Sequence, residues 1–277
     1  MYLLRKSEKS YQESIKNYNQ LIHGVDYALG MIRKTLEEQG VADNTIIIFT
    51  SDNGYSCGAH NFGGKVLPYE EASKSPLIIY DPRSPAKKRG IKRAKVTANI
   101  DMAPTILKYA GIAIPENMDG EDLSLLMNKP EQFNRKTVAL MNMWGNDEIQ
   151  SMSVVSKDWK YIFWQYEGEN MKPTEELFHI GQDRLEMSNK VTDPAAQKQL
   201  EKMRTLYDLQ LEHIKKEGTK DNDYEKYAVL FDRHANAEDK QAYLVGTYEE
   251  FQKKTKEEAR QKRKKKKGRK KGKKNRN

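Results

Sequence analysis

The feature that most constrains the fold is a short, uninterrupted apolar run, Thr45-Ile46-Ile47-Ile48-Phe49-Thr50. It is rich in β-branched residues and shows no alternation of apolar and polar positions. It begins after Asp43-Asn44 and ends at Ser51-Asp52-Asn53-Gly54, which are turn-forming residues. Such a run is typical of a strand buried on both faces, as in parallel sheets. We therefore predict a central parallel strand and an α/β layer around it.

The segments on both sides of this strand support an α/β layer. Residues 11–39 carry apolar side chains three, four or seven positions apart, which predicts a helix that ends at Gly40. A second apolar run at residues 76–80 predicts another strand. Asp101 and Pro104 mark the start of a further helix, which should end before Gly111.

The connection between the two predicted strands, residues 51–75, is 25 residues long. A loop of that length inside a compact domain is expected to be functional. It is the first place to look for chemistry.

The C-terminal part has a different texture. Residues 137–143 and 153–165 are rich in β-branched and aromatic residues and predict antiparallel strands, and Asp193-Pro194 opens a helix that runs to about residue 217. We expect four parts in chain order. They are part of a catalytic α/β domain (1–135), an α+β subdomain (136–218), a polar, partly helical extension (219–252) and a disordered basic tail (253–277).

The basic tail dominates the charge of the chain. Residues 253–277 contain 16 Lys or Arg and two Glu, hence +14, whereas the whole chain carries +9 and the remainder therefore −5 (9 − 14). The tail has no aromatic residues that could stack on bases. We expect a solvated extension with nonspecific, salt-sensitive binding to polyanions and no specific nucleic-acid partner.

Two features bound the cellular context. The chain has one cysteine, Cys57, which excludes an intrachain disulfide framework and any multi-cysteine zinc site. The first nine residues lack the apolar core of a signal peptide, and no apolar run approaches 18 residues. We therefore expect no transmembrane segment, and localisation stays unknown from the sequence.

Asp52 and Asn53 are the first candidates for chemistry, because ligands of open α/β sheets bind beyond the carboxyl ends of strands. A carboxylate beside an amide oxygen suits a hard divalent cation such as Ca²⁺. Ca²⁺ takes six to eight oxygens, so two residues cannot complete its site. The alternative is a simple Asp-Asn-Gly turn with no ligand.

The following loop combines with these residues into a recognisable pattern. After Asp52-Asn53-Gly54 come Gly63-Gly64-Lys65, then Tyr69-Glu70-Glu71 and the next strand. This order resembles the type I, formylglycine-dependent sulfatases of the alkaline phosphatase superfamily, and the chain resembles the C-terminal half of such an enzyme. The resemblance implies an alkaline-phosphatase-like mixed sheet flanked by helices, with its N-terminal part missing, and a small C-terminal antiparallel sheet plus helix.

The resemblance also implies roles for individual residues. Asp52 and Asn53 would bind one Ca²⁺, and Lys65 would contact the sulfate group, where a cation opposes the charge on the sulfate oxygens. His60 is a weaker candidate, because many relatives place a glutamate before this histidine and here the neighbour is Ala59. A solvated loop histidine is the alternative.

The nucleophile of the family is not found in this sequence. The family makes formylglycine from the Cys or Ser of a Cys/Ser-x-Pro-x-Arg motif, and none of the nine prolines has this context. Formylglycine is therefore expected in the missing N-terminal part, and the fragment alone should be inactive.

For the whole protein, the resemblance implies hydrolysis of sulfate esters of a saccharide or small organic molecule, with export to the periplasm or secretion. Two alternatives stay open: a phosphonate or phosphodiester hydrolase of the same superfamily, and a noncatalytic polyanion-binding protein that uses the basic tail.

Overall fold

The computed structural model describes residues 8–143, 150–165, 172–218, 225–241 and 243. These residues form two compact units. The first takes the described residues of Met1–Val138, Val155–Lys160 and Phe178–Lys190, and the second those of Ala139–Val154, Tyr161–Leu177 and Val191–Asn277. The basic tail, residues 253–277, lies outside the described residues.

The first unit begins with the long helix α1, Glu8–Glu38, which confirms the helix predicted from the apolar spacing. Two residues after its end lies Gly40, whose φ of +66° is accessible to glycine without strain. The amides of Gly40 and Val41 donate to the carbonyls of Glu37 and Leu36, both at 3.0 Å, and so close the last turn. No residue of α1 is buried.

Strands β1, Ile47–Thr50, and β4, Leu77–Tyr80, form a two-stranded sheet. Both strands were predicted, but the prediction of a parallel central strand is wrong. The strands are antiparallel, with Ile47 opposite Tyr80 and Thr50 opposite Leu77, and the side chains of β1 are only partly buried. The apolar run indicated a strand but carried no information on its partner's direction, and the long connection permits either.

The long connection between these strands has structure of its own. It contains a hairpin of two short strands, β2 (Ser56–Cys57) and β3 (Gly63–Gly64), paired antiparallel, and the one-turn helix α2, Glu70–Ser73. These elements bring the residues before and after Lys65 back towards the ends of β1 and β4.

Two further helices complete the first unit: α3, Met102–Tyr109, and α4, Ser124–Asn128. The former confirms the helix predicted to start at Asp101 and to end before Gly111. The core beside these helices is built on Leu123, Leu126 and Phe133, against which apolar side chains of β4, α3 and α4 pack.

The side chain of Asp101 makes no capping hydrogen bond to α3. It is fully buried, and its carboxylate accepts from Arg135, at 2.6 Å, and from the amides of Ala98 and Glu121. This buried ion pair ties the start of α3 to the segment that leads into the next sheet.

The small sheet has four strands in chain order, β5 (Thr137–Asn142), β6 (Ser151–Ser156), β7 (Lys160–Trp164) and β8 (Thr174–Phe178). The sequence at residues 153–165 predicted strand throughout. The structure instead divides it at 157–159, where the amide of Ser156 donates to the carbonyl of Trp159 at 2.8 Å.

Helix α5, Gln197–Glu217, follows in the second unit and confirms the predicted long helix. A 3-10 turn, Pro194–Ala196, leads into it, and the side chain of Asp193 caps this turn by accepting from the amide of Ala195 at 2.9 Å. Tyr207 of α5 packs edge-on against Tyr161 and Phe163 of β7. Two short helices, α6 (Glu225–Leu230) and α7 (Ala237–Gln241), come last.

The architecture is therefore α/β, with a small antiparallel sheet in its C-terminal part, as the sequence indicated. Among the described helices, none combines the length and apolar character needed to cross a lipid bilayer.

Candidate functional site

Asp52 and Asn53 lie just after β1 in a turn that is held by local hydrogen bonds. The Ser51 hydroxyl donates to the carbonyl of Asn53 at 2.6 Å, and the amide of Asn53 donates to Asp52 Oδ1 at 2.9 Å. The Nδ2 of Asn99 donates to the carbonyls of Ser51 and Asp52, both at 2.9 Å. The turn foreseen as the alternative is thus present, and Asn99 stabilises it from outside the loop.

Gly54 fixes the position of this turn against α2. Its amide donates to the carbonyl of Ala72 at 3.0 Å. A Cβ at this position would lie 2.1 Å from the carbonyl oxygen of Glu71, closer than any side chain can approach. Glycine is therefore required after Asp52 and Asn53 for a packing reason, independent of turn preference.

Lys65 reaches back to the same turn. Its Nζ lies 3.9 Å from Oδ2 of Asp52, and the two side chains are 54% and 81% exposed. A pair this open contributes little to stability. Both charges are accessible to a ligand, so the structure brings Lys65 and Asp52 together as an exposed pair of opposite charge, with half-buried Asn53 next to Asp52 in the chain.

The segment after Lys65 is anchored by a buried lysine. Lys160 Nζ donates to the carbonyl of Pro68 at 2.8 Å and lies 2.8 Å from Oε1 of Glu70 and 2.9 Å from Oε1 of Glu186. Glu186 Oε2 in turn accepts from the amide of Glu70 at 2.6 Å. The base of the Lys65 loop is thereby fixed from two distant parts of the chain.

Burial and ion pairing oppose each other in this anchor. Burial alone would raise the pKa of Glu70, but the charge of Lys160 and its hydrogen bond lower that pKa overall. For Glu186, burial outweighs the attraction of Lys160 and raises the pKa above its ordinary value.

Sequence reasoning missed Lys160, Glu186 and Asn99. A signal for Lys160 was available, because it begins a strand whose other residues are all aromatic or aliphatic, Lys160-Tyr161-Ile162-Phe163-Trp164. A lysine in such a strand is buried only when it is paired. Glu186 and Asn99 carried no comparable signal.

His60 belongs to a second group of side chains. Its ring stacks on Tyr69 with centroids 4.0 Å apart and planes 13° apart. Its ring nitrogen and the carboxylate oxygens of Glu71 and Glu186 lie within 4.8 Å of one another. The contacts that the structure describes for His60 are thus with these residues and not with Lys65.

The backbone around these groups is unusual. Within the described residues, the non-glycine residues with positive φ are His60, Asn61, Val66 and Glu186, at 51°, 62°, 76° and 54°. Left-handed backbone is unfavourable for such residues and is kept where the surroundings impose it. All four lie in the Lys65 loop or in the segment that anchors it.

Cys57 and His179 are two further side chains of types that can act as nucleophiles or metal ligands. Burial raises the pKa of Cys57 above its ordinary value, which favours the unreactive thiol. His179 packs against Trp159 with centroids 4.4 Å apart.

The structure thus places a lysine, a carboxylate and an amide beyond the end of a strand in an α/β layer, a set of groups whose chemistry suits an oxyanion and a hard cation. The sulfatase family model matches residues 3–112, and the model of the N-sulphoglucosamine sulphohydrolase C-terminal region matches residues 58–216. The chain belongs to the sulfatase family.

Individual relatives agree with this assignment. The N-acetylglucosamine-6-O-sulfatase of Bacteroides thetaiotaomicron is 30% identical over 229 residues, 80% of this chain and 39% of that protein. A solved protein in complex with its substrate D-glucosamine-2-N,6-O-disulfate superimposes with a TM-score of 0.62 at 27% identity, over 75% of this chain and 41% of that one. The chain thus spans about two fifths of these relatives.

A phosphonate monoester hydrolase of Agrobacterium radiobacter also shares the fold. Its TM-score is 0.59 at 23% identity, over 69% of this chain and 40% of that chain. At this identity the likeness concerns the fold alone.

Asp52 and Asn53 fit a hard divalent cation chemically. The Asp52 carboxylate is largely exposed, and the Nδ2 of Asn53 donates to the carbonyl of Gly54 at 2.6 Å, which leaves its amide oxygen available as a ligand. Both supply oxygen, the donor that Ca²⁺ prefers. Further ligands must come from other residues.

Proposed function

We propose that this chain supplies part of the Ca²⁺ site and of the sulfate-binding site of a sulfatase that hydrolyses sulfate esters of saccharides. The observation that carries the proposal is the approach of Lys65 Nζ to Asp52 Oδ2, 3.9 Å apart and both exposed, beyond the end of β1. Family membership gives this geometry its chemical interpretation.

In this proposal Lys65 and the Asp52-Asn53 pair have complementary tasks. The Lys65 ammonium donates hydrogen bonds to a sulfate oxygen and opposes the negative charge that is redistributed over the sulfate as the ester bond breaks. Asp52 and Asn53 would hold a Ca²⁺, which supplies further positive charge at the same group. The buried ion pairs of Lys160 with Glu70 and Glu186 fix the base of the loop and so hold Lys65 near Asp52.

The nucleophile would come from outside this sequence. A formylglycine requires the Cys/Ser-x-Pro-x-Arg motif, which does not occur among the nine prolines. The chain by itself should therefore bind sulfate weakly and hydrolyse nothing.

A sulfated amino sugar is the substrate class that the relatives favour. One relative is an N-acetylglucosamine-6-O-sulfatase, and one solved neighbour was captured with a disulfated glucosamine. We accordingly propose glucosamine 6-O-sulfate as the first substrate to test.

The experiment uses the natural gene product that contains this chain, assayed on glucosamine 6-O-sulfate and on 4-nitrophenyl sulfate. Lys65→Ala and Asp52→Ala should each lower kcat/KM by about 10² to 10³, as expected for loss of one electrostatic contact in the transition state. Lys87→Ala, at an exposed lysine outside the loop, is the matched control and should leave the rate unchanged. Full activity of Lys65→Ala would overturn the proposal.

The alternative ester is tested in the same assay. A phosphonate monoester and a phosphodiester are compared with the sulfate esters, because the fold is shared with a phosphonate monoester hydrolase. If kcat/KM were higher for the phosphonate than for both sulfate esters, phosphonate hydrolysis and not sulfate hydrolysis would be the main activity.

A further inference from the structure

His60, Glu71 and Glu186 form a group of potential metal ligands that the proposed Ca²⁺ site does not use. One ligand atom from each residue lies within 4.8 Å of those from the other two. His60 Nε2 and Glu71 Oε2 are buried and have no hydrogen-bond partner within the part of the chain that the structure describes. Buried polar atoms without a partner are rare and indicate a missing water or ion.

The charges around this group are unbalanced. Glu70, Glu71 and Glu186 bring three carboxylates into the region, whereas buried Lys160 pairs with Glu70 and Glu186. Lys74, which is exposed, pairs again with Glu70 at 3.3 Å. Among the described contacts, no cation reaches the carboxylate of Glu71.

We propose that His60, Glu71 and Glu186 bind a divalent first-row transition ion of the Zn²⁺ class. An imidazole nitrogen with two carboxylates is a donor set typical of Zn²⁺ and its neighbours and is poorly suited to Ca²⁺, which prefers oxygen alone. Binding requires the ligand atoms to close from within 4.8 Å to about 3.3 Å, the spacing that two bonds of about 2.0 Å give at a tetrahedral ion.

The surroundings of the group favour binding without large rearrangement. The ring of His60 is held flat on Tyr69, and the Glu186 side chain is fully buried with its Oε2 bonded to the amide of Glu70. These contacts restrict the rotamers of two of the three ligands, which lowers the entropy lost when the ion binds.

The ion would act as a clamp at the base of the Lys65 loop. His60 lies five residues before Lys65 and Glu71 six residues after it, while Glu186 comes from a segment far along the chain. One ion would therefore join both ends of the loop to residues 179–190. Binding of the ion is independent of whether the whole protein hydrolyses sulfate esters.

The test is a titration of the full chain, without a histidine tag and stripped with a chelator, with Co²⁺ as a spectroscopic probe. We expect visible absorption bands of protein-bound Co²⁺ that saturate at one ion per chain. Zn²⁺ should displace Co²⁺, millimolar Ca²⁺ should not, and Zn²⁺ should raise the midpoint of thermal unfolding.

The variants decide which residues bind the ion. His60→Ala and the near-isosteric Glu71→Gln should each weaken Co²⁺ binding by at least about tenfold. His23→Ala, at an exposed histidine of α1, is the matched control and should bind normally. Circular dichroism shows whether each variant folds. If His60→Ala does not fold, Co²⁺ binding by the near-isosteric Glu71→Gln still tests the site.

Three outcomes would overturn the proposal: no absorption band at submillimolar Co²⁺ in a folded chain, unchanged binding in Glu71→Gln, or displacement by Ca²⁺ as readily as by Zn²⁺. The first would mean that the two buried atoms bind only water. Full sulfatase activity of Lys65→Ala, which would overturn the proposed function, would leave these results unchanged, so this proposal and the proposed function fail separately.

Discussion

Gly54 lies so close to helix α2 that its backbone leaves no space for a side chain. In Gly54→Ala, the added methyl group would meet the carbonyl oxygens of Glu71 and Lys74 at 2.1 and 2.9 Å. The turn must then move away from α2, which displaces Asp52 and Asn53. We expect a loss of about 1 to 3 kcal/mol in the free energy of unfolding, measured by urea denaturation.

The matched control is Gly24→Ala on the exposed surface of α1, where nothing lies within 4 Å of the new methyl group. Alanine is the better helix former there, so this variant should gain about 0.5 to 1 kcal/mol. If both variants gave the same sign, close packing at Gly54 would not be the reason for its glycine.

Replacing Lys160 should lower the stability of the fold strongly, because its buried side chain contacts three other residues. Its side chain is fully buried and bonds to two carboxylates and the carbonyl of Pro68. Lys160→Met removes the charge while keeping most of the volume, and it leaves the buried carboxylate of Glu186 without its cation. We expect a loss of about 3 to 5 kcal/mol in unfolding free energy.

Lys157→Met, three residues earlier and exposed, serves as the control and should stay within about 0.5 kcal/mol of the parent. Equal stability of the two variants in urea denaturation would show that the buried ion pairs contribute nothing net.

For individual residues, the sequence predicted contacts between residues that are close in the chain and missed contacts between residues that are far apart in it. Asp52 and Asn53 are adjacent, and Lys65 follows within one loop, so a motif predicted them together and the structure brings Lys65 and Asp52 within 3.9 Å. Their roles in binding stay predictions. Lys160 and Glu186 reach the loop across 92 and 116 residues of chain, and no single-sequence pattern encodes such pairs.

Helices and strands show the same dependence. Helix α1 was predictable from its helical apolar period, and strands β1 and β4 were predictable from their uninterrupted apolar runs. The direction of β4 relative to β1 was not, since it is set by the path of the connection through β2, β3 and α2. Likewise, the tight turn at residues 157–159 between β6 and β7 was not predicted, because β-forming residues flank it closely on both sides.

The link between β8 and α5 makes the second unit sensitive to acid. Glu175 accepts hydrogen bonds from Arg204 of α5 and from the hydroxyl of Tyr161. Burial alone would raise the pKa of Glu175, but the bonds from Arg204 and Tyr161 lower it below its ordinary value near 4.5. The ionised form is therefore favoured by folding.

Because the folded pKa of Glu175 is the lower one, the unfolded chain binds more protons near pH 4.5. The stabilisation is complete above that pH and is lost as the pH falls through the folded pKa. Glu175→Gln should lower the unfolding free energy by about 1 to 3 kcal/mol at pH 7. Its deficit relative to the parent should shrink below pH 4.5, as measured by urea denaturation across pH. A deficit that does not change with pH would contradict this assignment.

For the molecule as a whole, charge is concentrated at one end. Residues 253–277 carry +14 against about −5 for the rest. We expect retention on heparin that depends steeply on salt, because binding releases counterions from the polyanion. Deleting 253–277 should abolish this retention, whereas deleting a neutral stretch of equal length should not. Unchanged retention after the deletion would exclude the tail as the polyanion-binding element.

The other property of the whole molecule is the apolar area of its first unit that no residue in the described part of the chain covers. Ile22, Val25 and Ile32 of α1 are all more than half exposed, and so is Ile78 of β4. In the described part of the chain, β1 and β4 pair only with each other, and an isolated two-stranded sheet is marginal. Open strand edges and apolar stripes promote association.

We therefore expect the chain expressed alone to be poorly soluble and to assemble as its concentration rises, as light scattering after size-exclusion chromatography would show. Replacing Ile22, Val25 and Ile32 together by Glu should raise solubility without unfolding the protein, because none of the three is buried. The same replacements at Leu123, Leu126 and Phe133, which are in the core, should abolish folding. A parent chain that stays monomeric and unfolds in one cooperative transition would show that this apolar surface needs no partner.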